Sequence, residues 1–175
     1  RNFYLYFTDW FGSTLVPNYS ARPYSQSAHP VIFQGEQALM KVRYVNDGSG
    51  AWYDDFTAWN AGKPVVKLGT DGPLNRSSPF GSGWRWGSTR ASDVFSAVYE
   101  ADGSTLAANQ HIVQPGQIGE FSFYVTAPGN LTPGNYIEAF RPIVEGRSAM
   151  PGNGVWWNVT VQRPTYTAQP MGQSY

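Results

Sequence analysis

Two histidines, twelve carboxylic acids and no cysteine are the chemical groups this 175-residue chain could use for catalysis. Without cysteine there is no thiolate nucleophile, no disulfide and no Cys-ligated zinc. His29 and His111 stand in no His-Glu-x-x-His motif, and no serine occupies a Gly-x-Ser-x-Gly elbow. A glycosidase needs two carboxyl groups across a cleft. Glu138 and Glu145 flank Phe140 and are expected instead to pair with Arg76, Arg141 or Arg147. Asp54, Asp55 and Asp71 lie in predicted loops, where carboxylates and carbonyls could gather around calcium. They lack EF-hand spacing and read as solvated loop acids. The expectation is therefore a chain with no catalytic residues, no metal and no cofactor.

The aromatic residues say more. Trp52 follows a glycine-rich turn and Trp157 falls on an inward-facing position, so both are assigned to the core. Trp84, Arg85 and Trp86 lie between Gly81 and Gly87, in a stretch without strand pattern. Exposed Trp and Arg side chains stack on sugar rings or anchor protein interfaces. Equally, the loop folds back with Arg85 stacked on an indole; both readings stay open. Trp59 is a further candidate of the same kind. Residues 3–11 (FYLYFTDWF) carry large apolar groups on both faces of a strand. Such a segment left free invites aggregation. It forms either an extra edge strand of its own domain or a strand added to a neighbouring copy, with Phe3, Leu5, Phe7 and Trp10 in the contact. The polar tail 163–175 has no core of its own, and Tyr166 and Tyr175 are its candidate contact residues.

The elements that must position these groups are strands. In 38–45, Met40, Val42 and Tyr44 share one face while Lys41 and Arg43 take the other. Phe121, Phe123 and Val125 alternate with Ser122 and Tyr124, and Val155, Trp157, Val159 and Val161 alternate with Trp156, Asn158 and Thr160. Period-two alternation places one face on a core and one in water, the signature of antiparallel sheet. Weaker strands are read at 65–68, 94–100, 110–113 and 136–141, and no stretch shows sustained helical periodicity. Asp102-Gly103 suits a tight hairpin and Pro115-Gly116 a type II turn. Residues 70–92 form one long surface loop, of the kind that is functional or stitched down by its own contacts. The fold class expected is all-β: an immunoglobulin-like two-sheet antiparallel sandwich over 29–162, an N-terminal arm over 1–28 with the extra strand, and an extended tail over 163–175.

Charge sets limits on partners. Twelve basic residues balance twelve acidic ones, so no basic excess is available for nucleic acid. No apolar run is long enough to span a membrane. The chain opens on Arg1, which suggests a processed or excised product. Asn-x-Ser/Thr triplets at Asn18, Asn75, Asn130 and Asn158 are candidate glycosylation sites, in keeping with a secreted or cell-surface protein.

A set of short segments in fixed order resembles a known family. They are MKVRYV at 40–45 followed by NDGSGAW to Trp52, VKLGT at 66–70, RSSPF at 76–80 with Trp84, VQPG at 113–116 and EFSFYVTAP at 120–128. PGNY at 133–136, FRPIVEG at 140–146 and VWWNVTV at 155–161 complete the set. Their collinear order is similar to the tryptophan-rich immunoglobulin-like domain of selective-autophagy cargo receptors, and closer still to its bacterial surface-protein relatives. The resemblance implies an immunoglobulin-like fold, no enzymatic activity, and roles in partner binding or modular display. Two functions are expected: an extracellular structural subunit that binds copies of itself through its terminal arms into a filament, sheath or surface layer, or a module that binds glycans or another surface protein.

Overall fold

The computed structural model describes residues 16–152 and 154–165. The three alternating segments become the central strands, because each carries a row of side chains that only a second sheet can cover. In chain order the elements are β1 (Ala21–Gln26), β2 (Val31–Phe33), β3 (Gln37–Asn46), β4 (Trp52–Tyr53), helix α1 (Asp55–Ala61), β5 (Val66–Asp71), β6 (Arg90–Ser92), β7 (Ala97–Tyr99), β8 (Ile112–Val113), β9 (Ile118–Thr126), β10 (Gly134–Val144), β11 (Ser148–Ala149) and β12 (Val155–Gln162). One sheet has the order β1-β3-β9-β7, the other β2-β12-β10-β5-β6 with β11 beside β10, and β4 pairs with β8. The fold is all-β and sandwich-like.

The core lies between the two larger sheets. Met40, Val42, Tyr44, Phe121 and Val125 from the first meet Val66, Leu68, Phe140, Trp157 and Val159 from the second, all fully buried. Phe123 bridges the layers, its ring 4.9 Å from that of Phe140 and 6.0 Å from that of Trp157. The Tyr44 hydroxyl donates to the Phe140 carbonyl across the same gap at 3.0 Å. Burial pushes that phenol well above its ordinary range.

Several features depart from the expected pattern. β2 runs parallel to β12, pairing Val31 with Thr160 and Phe33 with Gln162. β1, within the stretch assigned to an arm, pairs antiparallel with β3 from Ala21↔Asn46 to Gln26↔Val42, so the sandwich takes in residues upstream of position 29. Its Pro23 and the adjacent register shift explain why alternation did not reveal it. The expected strand over 3–11 and most of the tail lie outside the described residues.

The Pro115-Gly116 turn has Gly116 at φ 85°, with Gln117 N–H donating to Gln114 O at 3.0 Å. At the other turn Gly103 has φ 71°, and a Cβ there would collide with the Tyr24 hydroxyl. The preceding Asp102 carboxylate accepts from Ser104 N–H, Thr105 N–H and the Thr105 hydroxyl. The Thr105 hydroxyl first, then the two amides, hold its pKa down to about 2 from 3.8.

Two predictions follow from packing and from this turn. Trp157→Ala should lower unfolding free energy by about 3–5 kcal/mol in denaturant titration, the range for an aromatic deleted from a core. A folded-state pKa below the unfolded one stabilises above the unfolded value and is lost as pH falls through the folded value. Replacing Asp102 with Asn should therefore leave neutral stability dependent on fewer charge-assisted bonds. It should also flatten the acid limb between about pH 4 and about pH 2.

Candidate functional site

The candidate binding residues gather at one end of the sandwich, around α1 and the segment that follows β5. α1 forms because Asp54 caps it: its Oδ1 accepts from Phe56 N–H at 3.1 Å, Thr57 N–H at 3.2 Å and the Thr57 hydroxyl at 3.1 Å. Gly62 closes it in the left-handed conformation at φ 59°, donating to the last carbonyls. The helix is too short to declare a period, so the alternation signal passed over it. Its cap residues, Asp54 and Gly62, are the signal that could have found it. Along it Phe56 and Trp59 stand out in solvent, 66% and 90% exposed. Phe56 was not singled out from sequence.

The other Oδ of Asp54 lies 2.7 Å from His111 Nδ1, and the Phe56 ring meets the imidazole edge-on at 5.3 Å. A histidine oriented by a buried aspartate is two parts of a hydrolytic triad. Among the described residues no hydroxyl is bonded to that imidazole. The Thr57 hydroxyl is directed instead to Asp54 and to the His111 carbonyl. Asp54 acts here as a helix cap with four donors.

The next residues tie the long loop to the helix. One guanidinium nitrogen of Arg85 bridges Asp55 at 2.7 Å and Asp93 at 2.9 Å. The Trp86 indole N–H donates to the same Asp93 oxygen. Lys67, almost fully buried on β5, places its ammonium 3.7 Å from the centre of the Trp86 ring and 3.7 Å from Glu145. Arg90 also reaches Glu145, at 3.1 Å. Each charge in this network has an opposite neighbour. Around it stand exposed apolar groups, Phe56, Trp59 and half of Trp86, beside the Arg85 side chain, which is itself 62% exposed.

Trp84 takes another course. It packs edge-on against Phe123 and Phe140 and donates its indole N–H to Tyr124 O at 2.7 Å. Of the candidates Trp59, Trp84, Arg85 and Trp86, the structure brings Arg85 and Trp86 together and puts Trp59 on the helix that Arg85 grips. Trp84 is packed against the core. The assembly candidates Phe3, Leu5, Phe7, Trp10, Tyr166 and Tyr175 lie outside the described residues.

The carboxylates weighed for catalysis or calcium are held apart. Glu138 is buried between the sheets in a two-pronged pair with Arg76, at 3.0 and 2.9 Å. Glu145 joins Arg90 and Lys67 on the outer face. Asp71 meets Arg141 at 2.6 Å. Among the described residues no group of three or more acids and histidines is placed to hold a metal ion. No described helix is long and apolar enough to cross a membrane.

No family model and no curated protein matches the chain. Among solved structures it is similar to part of a family 123 glycoside hydrolase from Clostridium perfringens, at 10% identity and TM-score 0.38. That match covers 85% of this chain and 28% of the enzyme. It is also similar to part of a β-glucosidase from Listeria innocua in complex with glucose, at 11% identity and TM-score 0.31, over 82% of this chain and 16% of that one. The chain spans under a third of the length of either enzyme. Likenesses this slight carry no inference about activity.

The buried pair generates a prediction. Arg76→Ala should cost about 3–5 kcal/mol, because Glu138 is then left charged and unpaired between the sheets. Replacing both residues with apolar ones of similar size should recover most of that loss in the same denaturant titration.

Proposed function

We propose that this chain is a non-catalytic extracellular structural subunit that binds copies of itself. The observation that supports the reading is the spread of exposed apolar side chains over several surfaces. Phe56 and Trp59 project from α1. Leu39 and Tyr124 face each other across β3 and β9 on the outside of one sheet. Val31 and Phe33 line β2, at an edge of the other. A module for one small ligand needs a single concave aromatic site, whereas a subunit with several neighbours needs several contact surfaces. Clefts of about 230 to 380 Å³ beside β1, β11 and the end of β12 are lined by residues other than tryptophan. The resemblance to bacterial surface members of the tryptophan-rich immunoglobulin-like family belongs to this proposal, as do secretion and the terminal arms as additional contacts.

A second reading, a module for glycans or another surface protein, is favoured by one feature. Trp59 is almost wholly exposed on a capped helix beside Arg85 and Trp86, the residue types that dominate recognition hot spots.

Sedimentation of the full chain and of a chain lacking residues 1–12 separates the two. The assembly reading expects concentration-dependent growth of the full chain, broken down by the deletion and weakened by Phe56→Ser with Trp59→Ser. A full chain that stays monomeric at high concentration contradicts it. Glycan-array binding lost in Trp59→Ala, with unchanged thermal stability, would then support the module.

A further inference from the structure

We propose that Asn158 carries an N-linked sugar whose first residue lies against the indole of Trp156. The inference rests on the outer face of β12 and stands apart from the assembly reading. Trp156, Asn158 and Thr160 alternate along that strand, so all three side chains project from one face at steps of roughly 7 Å. Asn158 and Thr160 are the acceptor and hydroxyl of an Asn-x-Thr triplet. Trp156 is 52% exposed although it sits in a well-packed strand.

The ring is held ready. His29 stacks on it with centroids 5.2 Å apart and planes 23° from parallel. The imidazole is itself fixed, its Nδ1 accepting from Asn158 N–H at 3.0 Å. One indole face is thus occupied by His29, while Trp156 as a whole remains 52% exposed. Asn158 Oδ1 is buried without a partner, whereas its Nδ2, the atom that would be glycosylated, makes no hydrogen bond within the described residues. A pyranose attached there starts one strand step from a half-exposed indole, whose apolar surface suits the C–H face of a sugar.

The other triplets lack this arrangement. Asn75 has a left-handed backbone at φ 62°, and its Oδ1 accepts from Arg90 at 2.6 Å. The residues two places before Asn18, Asn75 and Asn130 are Val16, Pro73 and Pro128. Of the four, Asn158 alone has an aromatic ring at that position.

The transfer balances with a lipid-linked glycosyl pyrophosphate as donor and a host glycosyltransferase as catalyst. A bond forms between Asn158 Nδ2 and the sugar C1, the C1–oxygen bond to the pyrophosphate breaks, and one amide proton leaves to a base. β12 lies inside its sheet between β2 and β10, so the transfer takes place before the strand is zipped in.

The test is to secrete the chain from a glycosylating eukaryotic host, map occupied asparagines by mass spectrometry, and compare melting midpoints. Asn158 should be occupied. The glycosylated chain should melt roughly 2–4 °C above the same sequence produced without the sugar in a non-glycosylating bacterial host. Trp156→Ala should erase that difference, and Trp156→Tyr should restore most of it. An unmodified Asn158 in the secreted protein overturns the proposal. So does an occupied Asn158 whose stabilising effect is the same with and without the ring at 156.

Discussion

The Glu138–Arg76 pair is the contact on which the exposed end of this molecule depends. Glu138 sits at an inward-facing position of β10, where a charge is costly unless paired. Its partner comes from the long connection between β5 and β6, so pairing draws that connection over the sandwich. Arg76 also donates to Asp71 O at 3.0 Å, and its own carbonyl accepts from the Thr70 hydroxyl at 2.7 Å. The next turns follow from this anchor. Phe80 drops into the core, its carbonyl accepting from Thr126 N–H at 3.1 Å, and Trp84 packs on Phe123 and Phe140. Only then can Arg85 and Trp86 reach Asp55, Asp93 and Lys67.

A consequence is that the polar groups at this end are occupied with one another. Arg85 holds two carboxylates, Lys67 is caught between an indole face and Glu145, and Asp54 is consumed in capping α1. Surface pairs of this kind add little stability singly, but together they fix the orientation of α1 and of Trp86. Beside the exposed Arg85 stand the exposed apolar groups Phe56, Trp59 and Trp86, an arrangement suited to contact with another surface.

Much of this fold was legible because three strands alternate cleanly. Met40, Val42, Tyr44, Phe121, Phe123, Val125, Trp157 and Val159 were all placed inward from spacing alone, and all are buried. Short or interrupted elements gave no such signal: β1 carries a proline and a register shift, β2 has three residues, and α1 has seven. The site was half legible. Trp59, Arg85 and Trp86 could be named from residue type and from their lack of a strand pattern. Whether the loop stood free or folded back depended on partners distant in sequence, such as Arg76 with Glu138 and Lys67 with Trp86, which no local pattern reveals. Phe56 escaped notice because its exposure comes from the helix cap at Asp54.

The central claim is that the exposed apolar surfaces at α1, across β3 and β9 and along β2 are contacts between copies of this chain. Oxidative footprinting of the intact protein over a dilution series tests it most directly. The account predicts that Phe56, Trp59, Tyr124 and Phe33 are oxidised in dilute solution and become protected together as concentration rises. Trp157 should stay unreactive throughout. Reactivity at all four surface residues that does not change with concentration would contradict it.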